Sequence, residues 1–472
     1  MLQSCRVAAH TRLPARVAAT NAFRPTRLHH QASATATPVA ERAPHISPAR
    51  ALPPSPPLER IPVDPFKLLH NEMAYVRESL MQLLGSSHPT LTEIASYYFQ
   101  LPGKQLRPLL VLLFSRAVKG VTSGYTEKCF AFENAASKKQ ELDMPLSSPD
   151  VLNDWNPSMP NHSASFSTVF SMPSRAGRPP DSPASLRPYF SSQLSVLPTQ
   201  LRLAQITEMI HVASLLHDDV IDLSSLRRAS ASAPFKFGNK LSILAGDFML
   251  GRSSAALARL GDAEVVELIG TVIANLVEGE IMQLREQNES DKASGNAEEF
   301  ALTPERWTTY LQKSYFKTAS LMAKSSRAAV VLGGARPGVP EDEELKDVAY
   351  AFSRNLGIAF QLVDDLLDYS TSAELGKPGG GADLKLGLST APALFAWEEY
   401  PEMGPLIARK FKGDGDVEQA RDLVLRSSAL DRTRQLAKQY ADKALEVLEH
   451  IPESDAREGL AVVAGMVIER TR

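Results

Sequence analysis

Cysteine is almost missing from this chain of 472 residues: only Cys5 and Cys129 occur. That excludes a disulfide framework and a cysteine-based metal site. Long hydrophobic runs are missing too. No stretch of about 18 uncharged apolar residues exists, so no membrane-spanning helix is expected. Neither sign of charge dominates, since 51 Lys and Arg stand against 54 Asp and Glu for a net charge of −3. That balance gives no reason to expect a nucleic-acid partner. Strand alternation, hairpin punctuation and a Ser/His/Asp or Cys/His arrangement for nucleophilic catalysis are likewise lacking. What is there, 43% hydrophobic and 22% charged residues, is the make-up of a globular protein.

The first segment is basic. Arg6, Arg12, Arg16, Arg24 and Arg27 precede the first acidic residue, Glu41, among many Ala, Ser and Thr. With no long apolar core, residues 1–42 read as a mitochondrial transit peptide, which places the protein in the mitochondrion, in the matrix. Residues 43–61 are Pro-rich and read as a linker.

From residue 62 onward the text is helical, with apolar residues at three- and four-residue spacing. PFKLLHNEMAYVRESLMQLLG, TLTEIASYYFQ and LRPLLVLLFSRAV come first. Periodicity then collapses over about 121–198, which is dominated by Ser, Pro, Asn and Gly. This stretch reads as a disordered insertion that splits a domain without ending it. Helical text resumes near Pro198 and runs almost to the terminus. Several of these helices are apolar on more than one face, as burial in a large bundle requires. The expected fold is all-α: one domain, 62–472, with helices around a deep central cavity.

Within that helical text one acidic pattern occurs twice. DDVID supplies Asp218, Asp219 and Asp222; DDLLD supplies Asp364, Asp365 and Asp368. The chance expectation for one such pattern in a chain this long is about 0.1. In a helix the first and last aspartates of each motif lie roughly 40° apart, one turn from each other. Two carboxylates roughly 4 Å apart repel by about 4 kcal/mol at an effective dielectric of about 20. Their flanks, HVASLL and GIAFQLV, draw them toward a core where unpaired charge is costly. A hard divalent cation held by oxygen, Mg²⁺ above all, offsets that repulsion.

Basic and polar residues suited to phosphate surround the motifs in sequence. Lys104 and Arg107 occur in GKQLRP at a helix start, where free backbone N–H groups favour anions. Arg227 and Arg228 follow the first motif closely. Lys317 and Thr318 sit in YFKTAS, Gln361 precedes Asp364 by three, and His211 precedes Asp218 by seven. Each alone has an ordinary explanation as a cap, a surface pair or a core histidine. Together they describe a site for diphosphate and metal.

GKQLRP, HVASLLHDDVIDLSSLRR, FKT and FQLVDDLLD, in that order, resemble the trans-isoprenyl diphosphate synthases, and within them the long-chain polyprenyl synthases of ubiquinone biosynthesis. The likeness covers residue 62 to the C-terminus apart from the insertion. It implies an all-α bundle, usually a homodimer, with a heteromeric assembly as the alternative. It further implies that Asp218, Asp222, Asp364 and Asp368 ligate Mg²⁺, with Asp219 and Asp365 in support. Arg227, Lys317, Thr318, Gln361 and Lys377 would hold an allylic diphosphate, farnesyl or geranylgeranyl. Lys104, Arg107, His211 and Arg228 would hold isopentenyl diphosphate. Lys377 lies in GKPGGGADLKLG, whose flexibility suits a lid.

In the family an aromatic residue five positions before the first motif shortens the product; Ala213, next to Ser214, stands there instead. The expected product is therefore long. The insertion is either inert or a surface for a partner or for the membrane that receives an apolar product. The competing readings are a shorter-chain farnesyl or geranylgeranyl synthase, a terpene cyclase, a non-catalytic partner subunit and a helical scaffold. The complete DDLLD and the Lys104–Arg107 pair argue against the cyclase.

Overall fold

The computed structural model describes residues 63–84, 89–101, 103, 105–134, 142, 195–228, 230–288, 302–369 and 381–470. The transit-peptide and linker assignments, Lys104 and Lys377 lie outside these residues. Among the described residues the fold is all-α, as expected. The only strands among the described residues are Leu226–Arg227 and Ser230–Ala231, an antiparallel pair with Leu226 opposite Ala231. No described helix is long and apolar enough to cross a membrane.

The helix Pro198–Ile221 runs through the centre. Every residue from Pro198 to Ile210 is buried, so this half is enclosed on all sides. It packs against Leu106–Ala117, Asn239–Ala258 and Ser320–Leu332. Two polar side chains in this stretch bond to backbone carbonyls: Gln200 Nε2 donates to Ala329 O at 2.9 Å, and Thr207 Oγ1 to Leu203 O at 2.9 Å. From His211 onward one face opens. His211, Ser214, Leu215, Asp218 and Asp222 are only partly buried, while Ala213 and Leu216 stay fully buried. Those partly exposed positions recur at three- and four-residue spacing, which places them on one side of the helix. The first acidic motif thus stands at the mouth of a helix whose lower half is core.

A second helix, Pro340–Leu367, carries the other motif and packs along Ala429–Val447 and Ser320–Leu332. It passes very close to Ala319: a Cβ on Gly357 would lie 2.6 Å from the Ala319 Cα, so only glycine fits there. The helix Pro304–Ser314 continues into Ser320–Leu332 through a π-helical turn, Tyr315–Ala319. One extra residue in that turn re-aims the side chains, a feature common at functional sites.

One sequence expectation needs correction. The stretch taken as structureless from 121 begins with a helix, Tyr125–Asn134. Contacts distant in sequence fix its start. Thr122 Oγ1 donates to Gly333 O at 2.7 Å, and Ser123 N and Oγ donate to Asp342 at 3.0 and 2.5 Å. Most of this helix is exposed, so it carries no apolar stripe for periodicity to reveal. The rest of the insertion, apart from Leu142 and the residues from Ser195 onward, lies outside the described residues.

Candidate active site

Both acidic motifs fall at helix C-termini, not mid-helix. Asp222 is the residue after Ile221, with its N–H on Asp218 O at 2.8 Å; Asp368 follows Leu367, with its N–H on Asp364 O at 3.2 Å. The negative end of the helix dipole adds to carboxylate repulsion there, so the need for cations is greater than mid-helix spacing implies.

At the first motif, Lys317 is drawn among the carboxylates. Its Nζ donates to Glu280 Oε2 at 2.6 Å and to Gln283 Oε1 at 2.8 Å, while Gln283 Nε2 donates to Asp222 Oδ1 at 3.2 Å. Burial lowers the Lys317 pKa, but Asp218 and Glu280 outweigh it and hold the ammonium above its ordinary value. Burial raises Asp218 to about 7, opposed by Lys317 and reinforced by Glu280 and Asp222. The middle aspartate behaves differently. Asp219 is fully buried, accepts the Tyr98 hydroxyl, and accepts Arg227 Nε at 3.1 Å and Nη2 at 2.5 Å. Among the described residues, Asp218, Asp219, Asp222 and Glu280 are set against two cations, Lys317 and Arg227, an excess of negative charge.

At the second motif Asp364 is exposed, and its Oδ1 accepts Arg470 Nη1 at 2.9 Å. Asp365 is 2% exposed; it accepts Tyr310 Oη at 2.5 Å and Gln361 Nε2 at 2.9 Å. Gln361 Oε1 in turn accepts Thr318 Oγ1 at 2.7 Å. Burial raises Asp365 to about 6 against the lowering by the Tyr310 and Gln361 hydrogen bonds. Asp368 departs from the expectation that both ends of the motif are presented alike. It is buried and caps the returning chain, accepting Ala382 N at 3.1 Å and Asp383 N at 3.0 Å. Asp368 keeps the one-turn bond to Asp364 O, so what sets it apart from Asp364 is its burial against the returning chain.

A cluster of basic side chains forms beside the first motif. Arg107 Nη1 lies 3.0 Å from His211 Nε2. A guanidinium has no acceptor, so this imidazole nitrogen accepts and the ring is neutral. Burial, then Arg107 and Arg228, hold the His211 pKa well below its ordinary value. Glu208, one turn earlier, is buried, and burial raises its pKa against the pull of Arg107 and Arg228. Arg228 lies against Gly103, where a Cβ would fall 2.3 Å from Nη1. This cluster also senses the second motif, because Asp364 and Arg470 both act on Arg107.

Three residues here hold positive φ without being glycine: Gln105 (48°), Leu223 (52°) and Arg228 (50°). Such conformations cost roughly 1–3 kcal/mol each and cluster at functional sites.

The structure thus brings together Asp218, Asp219, Asp222, Arg227, Lys317, Thr318, Gln361, Asp364 and Asp365, and beside them Arg107, His211 and Arg228. Sequence reading missed Glu208, Glu280, Gln283, Tyr98, Tyr310 and Arg470. Glu280 and Gln283, one turn apart on the long helix Ala263–Asn288, carried a usable signal; the others read as ordinary polar positions. Ser214 lies on the open face, its Oγ on His211 O at 2.8 Å, whereas Ala213 is packed in the core.

The chain is matched over residues 187–424 by the polyprenyl synthetase family. It is 47% identical over 411 residues, 87% of this chain and 82% of the relative, to the probable mitochondrial hexaprenyl pyrophosphate synthase of Neurospora crassa. Against the mitochondrial hexaprenyl pyrophosphate synthase of Saccharomyces cerevisiae it is 40% identical over 452 residues, covering 87% of this chain and 91% of that protein. The crystal structure of a Caulobacter crescentus polyprenyl synthase complexed with calcium and isoprenyl diphosphate superposes with a TM-score of 0.62 at 26% identity, over 86% of this chain and 97% of that one. The chain belongs to the polyprenyl synthetase family. It is an enzyme, a prenyltransferase.

Proposed function

We propose that this prenyltransferase condenses isopentenyl diphosphate successively onto farnesyl or geranylgeranyl diphosphate, giving a long all-trans polyprenyl diphosphate for the ubiquinone side chain in the mitochondrial matrix. The observation that carries this reading is the pairing of two acidic motifs with two sets of cations, Lys317 and Arg227 at the first motif and Arg107 and Arg228 beside it. The names of the fungal relatives support the long product and the mitochondrial setting.

The donor set fits Mg²⁺. Carboxylates outnumber cations at the first motif, yet no three described acidic, histidine or cysteine side chains converge enough to hold a metal unaided. Such a set suits an ion that completes its shell with water and substrate phosphate. Asp218, Asp222 and Asp364 would hold it; Asp368 would share its oxygens with the Ala382 and Asp383 amides. When bound, the ion supplies stabilisation of charge on the leaving diphosphate.

The protein's own groups do the rest. Lys317 and Arg227 hold the allylic diphosphate, with Thr318 and Gln361 alongside, and Lys377 remains an expected contact. Arg107, Arg228 and neutral His211, with Lys104 expected, hold isopentenyl diphosphate. Fixing both converts a bimolecular encounter into an oriented one. As the allylic C–O bond breaks, the isopentenyl alkene forms the new C–C bond, and a proton then passes to the departed diphosphate. No aromatic side chain stands at Ala213 to stop growth.

A homodimer is part of the proposal. Leu241, Ile243 and Leu244 are exposed on the helix Asn239–Ala258, and Val266, Val277 and Ile281 on its neighbour Ala263–Asn288. The proposal assigns these exposed apolar side chains to the interface between the two copies.

Purified chain incubated alone with Mg²⁺ and both diphosphates tests the reading. Turnover that Asp218→Ala and Asp364→Ala abolish supports it. A chain that binds substrate but turns over only with a second subunit is a partner subunit instead.

A further inference from the structure

The two middle aspartates share an arrangement that runs through both halves of the site. Each is buried, at 0% exposure for Asp219 and 2% for Asp365. Each accepts a tyrosine hydroxyl from a helix other than its own: Tyr98 from Pro89–Gln100 and Tyr310 from Pro304–Ser314. Each also accepts from a side chain that the proposed function assigns to the allylic diphosphate. Asp219 takes the Arg227 fork, and Asp365 takes Gln361, which is itself tied to Thr318.

We infer that Tyr98 and Tyr310 are positioning residues for the allylic diphosphate, each acting through the middle aspartate of one motif. The inference rests on the proposed function of the site. A buried carboxylate left with one partner fewer is free to rotate, and its rotation carries Arg227 or Gln361 with it. The Tyr98 hydroxyl is fixed in its turn, since it accepts Ala233 N at 2.8 Å. That bond ties the start of the short helix Ala233–Phe237, just past the hairpin, to the same oxygen. None of these bonds reaches Arg107 or His211, so the relay touches the isopentenyl pocket only through the charge of Arg227 beside His211 and Arg228.

Tyr98→Phe and Tyr310→Phe keep the rings and remove only the hydroxyls. Calorimetric titration of the full chain with Mg²⁺ and inorganic pyrophosphate reads the pocket without turnover. Each variant is expected to weaken that binding by about tenfold, the order of a lost hydrogen bond to a charged group. KM for the allylic diphosphate rises in parallel, and KM for isopentenyl diphosphate stays as in the parent.

The relay itself is read by a double-mutant cycle. In an Asp219→Asn background, Tyr98→Phe should add nothing further to pyrophosphate binding, and likewise Tyr310→Phe on Asp365→Asn. Parent-like pyrophosphate binding with a lowered unfolding midpoint would overturn the inference, as would fully additive losses in both cycles. Should one phenylalanine variant fail to fold, the cycle at the other motif decides by the same comparison. Failure of the parent chain to bind Mg²⁺–pyrophosphate would instead sink the functional reading beneath it.

Discussion

Lys317 and Thr318 are adjacent in sequence yet serve opposite acidic motifs. Lys317 Nζ sits with Glu280 and Gln283 beside Asp218 and Asp222, while Thr318 Oγ1 reaches Gln361 and through it Asp365. The π-helical turn Tyr315–Ala319 makes this division, and a single short segment thereby couples the two halves of the site.

Separating the two side chains should separate two effects. Lys317→Ala removes a cation from a carboxylate cluster and a ligand for the leaving charge, so kcat should fall by about a hundredfold or more. Thr318→Val should leave kcat closer to the parent and raise KM for the allylic diphosphate. Steady-state kinetics with each diphosphate varied in turn checks both.

Gly357→Ala tests whether the turn must stay where it is. The new Cβ would meet Ala319 Cα at 2.6 Å, so the backbone has to move. Overpacking of this kind costs about 1–3 kcal/mol. The unfolding midpoint should drop, and allylic KM should rise because Lys317 and Thr318 shift with Ala319.

The ends of the second motif should respond in opposite ways. Asp368 caps the chain at Ala382 and Asp383, so Asp368→Ala should cost about 1 kcal/mol of stability. Asp364 is exposed and pairs only across the surface with Arg470, so Asp364→Ala should leave stability nearly unchanged while abolishing turnover. Denaturant titration beside an activity assay distinguishes them.

His211 sets a pH dependence. Its folded pKa lies well below its ordinary 6.5 because of burial and the neighbouring Arg107 and Arg228. The unfolded chain therefore takes up a proton that the folded chain refuses. Stability from this group is intact above about pH 6.5 and is lost as pH falls below it, by up to about 1.4 kcal/mol per pH unit. Urea titrations at descending pH should show that slope, and His211→Gln should remove this contribution.

Much of this was legible in the sequence because charge in apolar helical text is conspicuous. Two Asp-Asp-x-x-Asp patterns demanded cations, and GKQLRP, Arg227–Arg228 and FKT supplied them. The division of labour within each motif was not legible. Spacing alone treats Asp218 and Asp219 as neighbours, whereas packing turns one toward the open face and locks the other beneath Tyr98. Glu208 reads as an ordinary helix residue, since only tertiary contact places it beside Arg107 and Arg228. The left-handed turns at Gln105, Leu223 and Arg228 carry no glycine to announce them. The helix Tyr125–Asn134 escaped because hydrogen bonds to Gly333, Gly334 and Asp342 anchor its start, and these pair it with chain some two hundred residues away.

The central claim is that two diphosphates are joined here repeatedly, with no aromatic stop at Ala213. The most direct measurement is the length distribution of products from the purified chain with Mg²⁺, isopentenyl diphosphate and farnesyl diphosphate. The account predicts all-trans products of hexaprenyl length or longer, absent when Asp218 is replaced by Ala. Release of farnesyl or geranylgeranyl diphosphate alone, or no elongation at all, would contradict it.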